Sequence, residues 1–450
     1  MRVMIFEPQY VGHNLAYVRH IAARLVEMGC EVHLLTSHQA AQSEEFSKHL
    51  ADVIDSIHVS APDTYVVRGT SRGIRVNGPV AIWAMMQSLH RGLQSIRPEH
   101  VFVPFGNPIA HWAGMPNPVN RWLRKQNCES ELVLLTGKYA YPQRDVRSKL
   151  KEQLALQLLS FGPWTRVHHI VPHAWNVMRR HPSRLSTIAN LLPDPIDTPP
   201  EMSRGEARAL LGLDPNARWM SLVGLIEKRK GIFELLAALE SAQDRLQSTD
   251  RLLLAGKATE ETRGLLKTRY RHLVESGRVQ CIDRHLSAQE LWAACIAADV
   301  MTTPYPQHQT SASIVIRAAA VGVPVLANRI GWMADVVDRF QLGNACDITH
   351  TPTFADAIAN AFDTSENYRP HASSRRFVAF HTIENFASRI TERVALRMGL
   401  SPAHGLSWSD VAPWDDLAVD AAPTAPRPSA KTTRMPLPSL HPPYGSSPVR

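Results

Sequence analysis

Three consecutive cations, Lys228, Arg229 and Lys230, stand between Val223-Gly224 and the run Gly231-Ile-Phe-Glu-Leu-Leu-Ala-Ala. The residues before them read as a buried strand and those after as a helix, so the cations occupy a strand-to-helix turn. Positive charge at a helix's start works against its dipole unless an anion comes between. A diphosphate is such an anion, taking the cationic heads together with the free N–H groups of the helix's first turn. A solvated basic loop is the alternative. A second stretch, PYPQHQTSASIVIRAAAVGVPVLANRIG (304–331), reads as turn, small polar loop, helix and short β-branched strand. Thr310, Ser311 and Ser313, with Ala312 among them, set hydroxyls beside unpaired amides, which makes a phosphate cradle. Simple N-capping by Ser311 is the other reading. Gly331 ends the stretch where a close approach needs a residue without a side chain. A third loop, Gln9 to Asn14, carries Gly12, His13 and Asn14 ahead of a helix and suits a polar or anionic ligand. An ordinary turn with Asn14 as N-cap explains it equally.

These loops need strands and helices to aim them. MRVMIFEP is a buried strand, Leu15 to Met28 a helix closed by Gly29, and CEVHLLTS the next strand, which opens a doubly wound domain. Further strands are expected at 100–105, 131–136 and 167–172. Four prolines between Pro193 and Pro200 then make a stiff connector. The pattern restarts with strands WMSLVG, RLLLAG, RVQCID, DVMTTPY and PVLAN between helices. Two blocks of alternating strands and helices imply two parallel sheets with a cleft between them. The expected division is a first Rossmann-like domain over 1–192, a second over 193–366, and one helix within 367–400 returning to the first domain. Ten prolines and few large aliphatics mark 401–450 as a disordered tail.

The composition fits a soluble globular protein, with 44% apolar and 20% charged residues. No apolar run is long enough to span a membrane, and the N-terminus lacks a cleavable leader. Five widely spaced cysteines, none in a CxxC pair, indicate neither a disulfide framework nor structural zinc and fit a reduced, cytoplasmic setting. A net charge of +8 favours anionic partners, yet no dense basic run with interleaved aromatics suggests nucleic acid. Residues 147–161 place Leu150, Leu154, Leu158 and Phe161 on one helical face with cations nearby. Peripheral contact with the inner face of a membrane, or packing onto the domain's own sheet, would each explain that stripe.

Together these residues resemble the group 1, or family 4, retaining glycosyltransferases of GT-B fold. Three motifs carry the resemblance: Val223-Gly224 to Lys230-Gly231 with its following helix; DVMTTPY with the Ser-rich loop and Ala318 to Val325; and the N-terminal GHN before a helix and strand. The resemblance spans about residues 1 to 395 and is strongest from 220 to 345. It implies a hexosyltransferase that moves a sugar from a UDP- or GDP-sugar to a lipid-linked or saccharide acceptor, with retention, in cell-envelope or exopolysaccharide synthesis. It calls for no metal and no organic cofactor, and the chain has no Asp-x-Asp.

By this resemblance Lys230 is the phosphate-binding lysine, with Arg229 and the amides near Ser311 to Ser313 stabilising the leaving diphosphate. The donor set is Gly224, Lys228, Arg284, Gln309, Thr310, Ser311, Ala312, Ser313, Arg317 and Gly331, with His285 beside Arg284. The acceptor set is Gly12, His13, Asn14, Lys138 and Tyr139, and His111 joins Lys230 and Arg229 as a catalytic candidate. Three positions depart from the family. Leu225 stands where an arginine is usual, and Gln309 and Arg317 replace two glutamates. Arg317 cannot act as a base, since a guanidinium stays protonated. It has the donor diphosphate or a nearby acid such as Asp283 as partner. Two other readings remain: a non-catalytic GT-B protein that binds nucleotide sugars or serves assembly, and a nucleotide-sugar epimerase, which would need a paired acid and base.

Overall fold

The computed structural model describes residues 1–10, 14–63, 78–141, 145–402 and 405–412. Gly12, His13 and the stretch 413–450 lie outside them, and Lys138 is described through its backbone only.

Two parallel sheets organise the chain. The first holds β1 (Arg2–Phe6), β2 (Glu31–Ser37), β3 (His58–Asp63), β4 (His100–Val103), β5 (Glu129–Leu134), β6 (Arg166–His169) and β7 (Ala189–Leu191), in the order β3-β2-β1-β4-β5-β6-β7. The second holds β8 (Arg218–Val223), β9 (Asp250–Ala255), β10 (Val279–Ile282), β11 (Val300–Thr303), β12 (Val325–Asn328) and β13 (Gly343–Cys346), in the order β10-β9-β8-β11-β12-β13. Strands buried on both faces are near-continuous apolar runs, and β1, β8 and β9 are such runs. The strand order reverses between β1 and β4 and again between β8 and β11. At such switch points the loops leaving the strands' carboxyl ends part and leave a crevice. From these two points come the loop after β1, the 224–231 turn and the 304–312 loop.

β3, β7 and β13 escape the sequence reading, because HVSAPD, ANL and GNAC are short and poor in β-branched residues. The expected single C-terminal helix is instead three, Ala372–Phe380, Ile383–Ile390 and Glu392–Arg397. The first break falls at Thr382, which is extended and accepts from Asn385 N through its hydroxyl, so it starts a new helix. The segment does return to the first domain. Phe386 stacks on Tyr17 at 5.0 Å, Arg393 Nε reaches Glu129 Oε2 at 2.6 Å, and Arg166 reaches Glu392 at 2.6 Å. The expected tail is also ordered further than 401. Trp408, in a helical turn over Trp408–Val411, is buried against Phe340 and Phe380.

Candidate active site

Three glycines shape the turn after β8. Gly224 has φ +98° and Gly231 φ +73°, both in the region that side chains rarely enter. A Cβ on Gly224 would lie 2.5 Å from Lys230 Nζ, so the bare glycine leaves room for that ammonium to fold back over the strand end. There Lys230 Nζ donates to Val223 O at 2.5 Å and sits 5.4 Å from the Tyr305 ring centroid. Behind it, Gly256 packs so closely that a Cβ would meet Gly224 O at 2.1 Å.

Two cavities open along this edge. The larger, of about 1030 Å³, is lined by Leu225, Glu227, Lys228, Arg229, Glu234, Lys257, Thr259, Glu261, His285, Pro306 and Gln307. The smaller, of about 330 Å³, lies between the two sheets. Tyr17, Leu135, Thr136 and Ile170 of the first domain and Asp194 of the connector face Arg229, Lys230, Tyr305, His308 and the 310–314 segment across it. Arg229 lines both. The three cations are therefore divided: Lys228 to the larger cavity, Lys230 to the smaller, Arg229 between. Arg229 already has a carboxylate partner, Glu227 Oε1 at 2.8 Å, and Lys228 Nζ sits 5.8 Å over the Phe233 ring.

In the Ser-rich loop the helix runs Ser313–Ala320 and has Ala312 at its cap position, with no side chain capping it. Ser311 is thus not the N-cap. Its Oγ donates to Asp194 Oδ2 at 2.7 Å, so no side chain caps the start of the helix, where Val315 N donates to Ala312 O at 2.9 Å. Thr310 Oγ1 lies 3.1 Å from His308 Nε2. Gln309 is held through its backbone, its carbonyl accepting from Tyr141 OH at 2.5 Å. Gly331 supports the loop from behind: a Cβ there would lie 3.0 Å from Gln309 Cα.

Several expected site residues lie elsewhere. Arg317 lines neither cavity. It stacks on Trp292 at 4.6 Å and reaches Asp197 Oδ2 at 3.2 Å, clamping the connector to the second domain. Asp283 is no partner for it, being held by Arg263 at 2.6 Å and by Ala258 N at 2.8 Å. Arg284 is exposed and pairs with Glu290, which forms a capping box with the N-cap Ser287 of the Ala288–Ile296 helix, while His285 faces the larger cavity. His111 also lines neither cavity; its Nδ1 lies 3.1 Å from Ala155 O, and burial pushes its pKa below the usual histidine range. Tyr139 is partly buried against the first domain's core, its hydroxyl on Met178 Sδ at 3.1 Å and its pKa raised by burial. Asn14 is buried as the first residue of the helix Asn14–Glu27 and lines neither cavity.

The sequence reading missed Asp194, Tyr17, Glu234 and Glu7. Asp194 had one signal, a carboxylate trapped between two prolines. Glu7 sits buried at the carboxyl end of β1, where Gln9 N donates to its Oε1 at 2.9 Å and its Oε2 has no partner. Burial raises its pKa from 4.5 to about 8, against the lowering by the backbone N–H groups of Gln9 and Phe105. The folded state therefore holds this proton more tightly than the unfolded chain. Its stability cost is absent below pH 4.5 and grows as pH rises to 8. Glu7→Gln should raise the melting temperature most at pH 8.5 and least at pH 4. A gain of equal size at both would show that Glu7 is not a buried neutral acid. A separate group, Glu31, His33 and His58, brings ligand atoms within 4.8 Å of one another at the amino ends of β2 and β3, away from the cleft, with Arg2 on Glu31.

Two Rossmann-like sheets with their switch points facing one cleft, and a C-terminal segment crossing back, define the GT-B fold. The solved structure of Anabaena Alr3699/HepE in complex with UDP superposes with a TM-score of 0.61, at 14% identity, over 88% of this chain and all of that one. WaaG, a glycosyltransferase involved in lipopolysaccharide biosynthesis, does so at 0.58 and 15%, over 86% of this chain and 99% of that one. Residues 218–364, within the second domain, match the family model for glycosyl transferases group 1. A D-inositol 3-phosphate glycosyltransferase of Pseudarthrobacter chlorophenolicus is 29% identical over 164 residues, 36% of this chain and 38% of that relative. The chain thus matches well under half the length of that curated relative.

Proposed function

We propose that the protein transfers a hexosyl group from a UDP- or GDP-sugar to an acceptor hydroxyl, with retention and without a metal ion, in envelope or exopolysaccharide synthesis. The observation that carries this is the Lys230 ammonium, folded over the end of β8 and facing a cavity rimmed by the uncapped amides of the Ser311–Ser313 segment. Positive charge already aimed at a departing diphosphate needs no reorganisation during the reaction. The bond from the sugar's C1 to the phosphate oxygen breaks, and one from C1 to the acceptor oxygen forms on the same face. The acceptor's proton passes to the departing phosphate, so no protein base is required. Closing the cleft would exclude water from the reactive C1. HepE's complex with UDP and WaaG's part in lipopolysaccharide synthesis support the donor and the setting. The test is titration with UDP, GDP, ADP and their sugars while following thermal stability. A ligand at 100 times its Kd stabilises by about 2.7 kcal/mol. No shift with any nucleotide would overturn the donor reading.

A lipid-linked acceptor and peripheral membrane contact draw support from one helix. In Val146–Phe161 the side chains of Leu150, Leu154 and Phe161 are 61%, 60% and 54% exposed, with Lys149 and Lys151 exposed beside them. Packing onto the domain's own sheet does not account for them, although Leu156 and Leu159 do pack inward. Apolar side chains flanked by cations suit an anionic bilayer surface. The protein should sediment with phosphatidylglycerol vesicles, and Leu150→Glu with Leu154→Glu should abolish this. Failure of the parent protein to sediment would remove the membrane from the proposal.

A further inference from the structure

The smaller cavity contains a single carboxylate among its described lining residues, Asp194. The connector delivers it between the two domains, where it is 6% exposed and held on three sides. Tyr17 OH donates to Oδ1 at 2.7 Å, Ser311 Oγ donates to Oδ2 at 2.7 Å, and the Asp194 N–H donates to His381 Nδ1 at 3.0 Å. A carboxylate offers about four acceptor positions. The two hydroxyls use one on each oxygen, and the remaining pair is available to a ligand in the cavity.

A cavity with cations on one wall and a lone fixed carboxylate on another suits a ligand with an anionic part and a part rich in hydroxyl donors. A nucleoside-diphosphate sugar has this make-up. Its glycosyl group presents hydroxyls and gains positive charge at C1 as the phosphate leaves, and a nearby carboxylate favours both. The two positions from which other acids could have served do not supply one. Gln309 is neutral and anchored through its carbonyl by Tyr141, and Arg317 is turned to Asp197.

Resting on the donor reading above, we infer that Asp194 binds the hydroxyls of the transferred sugar, with Tyr17 and Ser311 as the residues that position it. Asp194 then marks where the glycosyl group lies, and Lys230 where its leaving phosphate lies.

The experiment compares a nucleotide sugar with its own nucleotide. The full-length protein is titrated calorimetrically with UDP-glucose and UDP, and with GDP-mannose and GDP, in parent and Asp194→Ala forms. Asp194→Asn, of the same shape, replaces the alanine variant should that fail to fold. The expected result is that loss of the carboxylate weakens the nucleotide sugar by tenfold or more and leaves the nucleotide within about twofold. Tyr17→Phe keeps the carboxylate and should shift the same ratio by less than threefold. Equal weakening of sugar and nucleotide, or a ratio that does not move, would overturn the assignment and leave the donor reading intact. So would a Tyr17→Phe variant as severe as Asp194→Ala, because the carboxylate would then act only as a latch between domains. Absence of binding by either pair to the parent protein would overturn both readings.

Discussion

Lys230→Ala is expected to weaken UDP or GDP binding by about 100-fold, the size of one lost charged hydrogen bond to phosphate at the upper end of its range. The neighbouring cations are less well placed. Arg229 lines the same cavity but already pairs with Glu227, and Lys228 lines the larger cavity over Phe233. Without the lysine, the Val223 carbonyl loses its donor, which costs the apo fold about 1 kcal/mol. Binding should therefore fall far more than stability. Titration calorimetry alongside thermal unfolding separates the two, and a variant that binds nucleotide as tightly as the parent would remove Lys230 from the site. Gly224→Ala is an independent route to the same result. Its new Cβ would occupy the space that Lys230 Nζ now fills, 2.5 Å away, and so push the ammonium off the strand end without removing it.

The parts of this site that were legible in the sequence are those with a local cause. Gly224 and Gly231 punctuate a strand-turn-helix because the backbone there adopts positive φ, and three cations between them stand out against the helix dipole. Most strands of the two sheets could be read from blocks of apolar runs, since their burial is written in their own few residues. What stayed hidden depends on partners far along the chain. Asp194 meets Tyr17 across 177 residues and Ser311 across 117, so in the sequence it is only an acid within a proline-rich connector. Arg317 looked like a ligand for phosphate because Asp197, 120 residues away, could not be matched to it. Tyr139 and His111 read as acceptor-side candidates, and nothing local distinguishes a tyrosine packed against the core from one that lines a cleft. The exposed face of Val146–Phe161 had the reverse problem. Its stripe could be seen, but whether it faced the sheet or solvent depended on the fold around it.

Gly231→Ala should be among the most damaging single-atom additions to the protein. The residue has φ +73°, so an alanine there carries the left-handed backbone penalty of about 1–2 kcal/mol. Its Cβ would also fall 1.7 Å from Pro304 O and 2.7 Å from Pro304 C. Both are backbone atoms, and no change of rotamer can relieve the clash. Either the turn after β8 or the loop after β11 must move, at an overpacking cost of roughly 1–3 kcal/mol. Gly29 provides the control. It has φ +78° but nothing within 4 Å of an added Cβ, so Gly29→Ala carries the strain without the collision. Gly231→Ala is expected to lose about 2 kcal/mol more than Gly29→Ala in urea unfolding, the difference being the clash alone. It should also lose nucleotide affinity, because the displaced loop lines the smaller cavity together with Lys230, whereas Gly29→Ala should bind normally. If the two variants were equally stable, the contact between the 228–231 turn and Pro304 would not be tight. The cationic turn and the Ser-rich loop would then be free to move apart, and the cavity between them would not be preformed for a diphosphate.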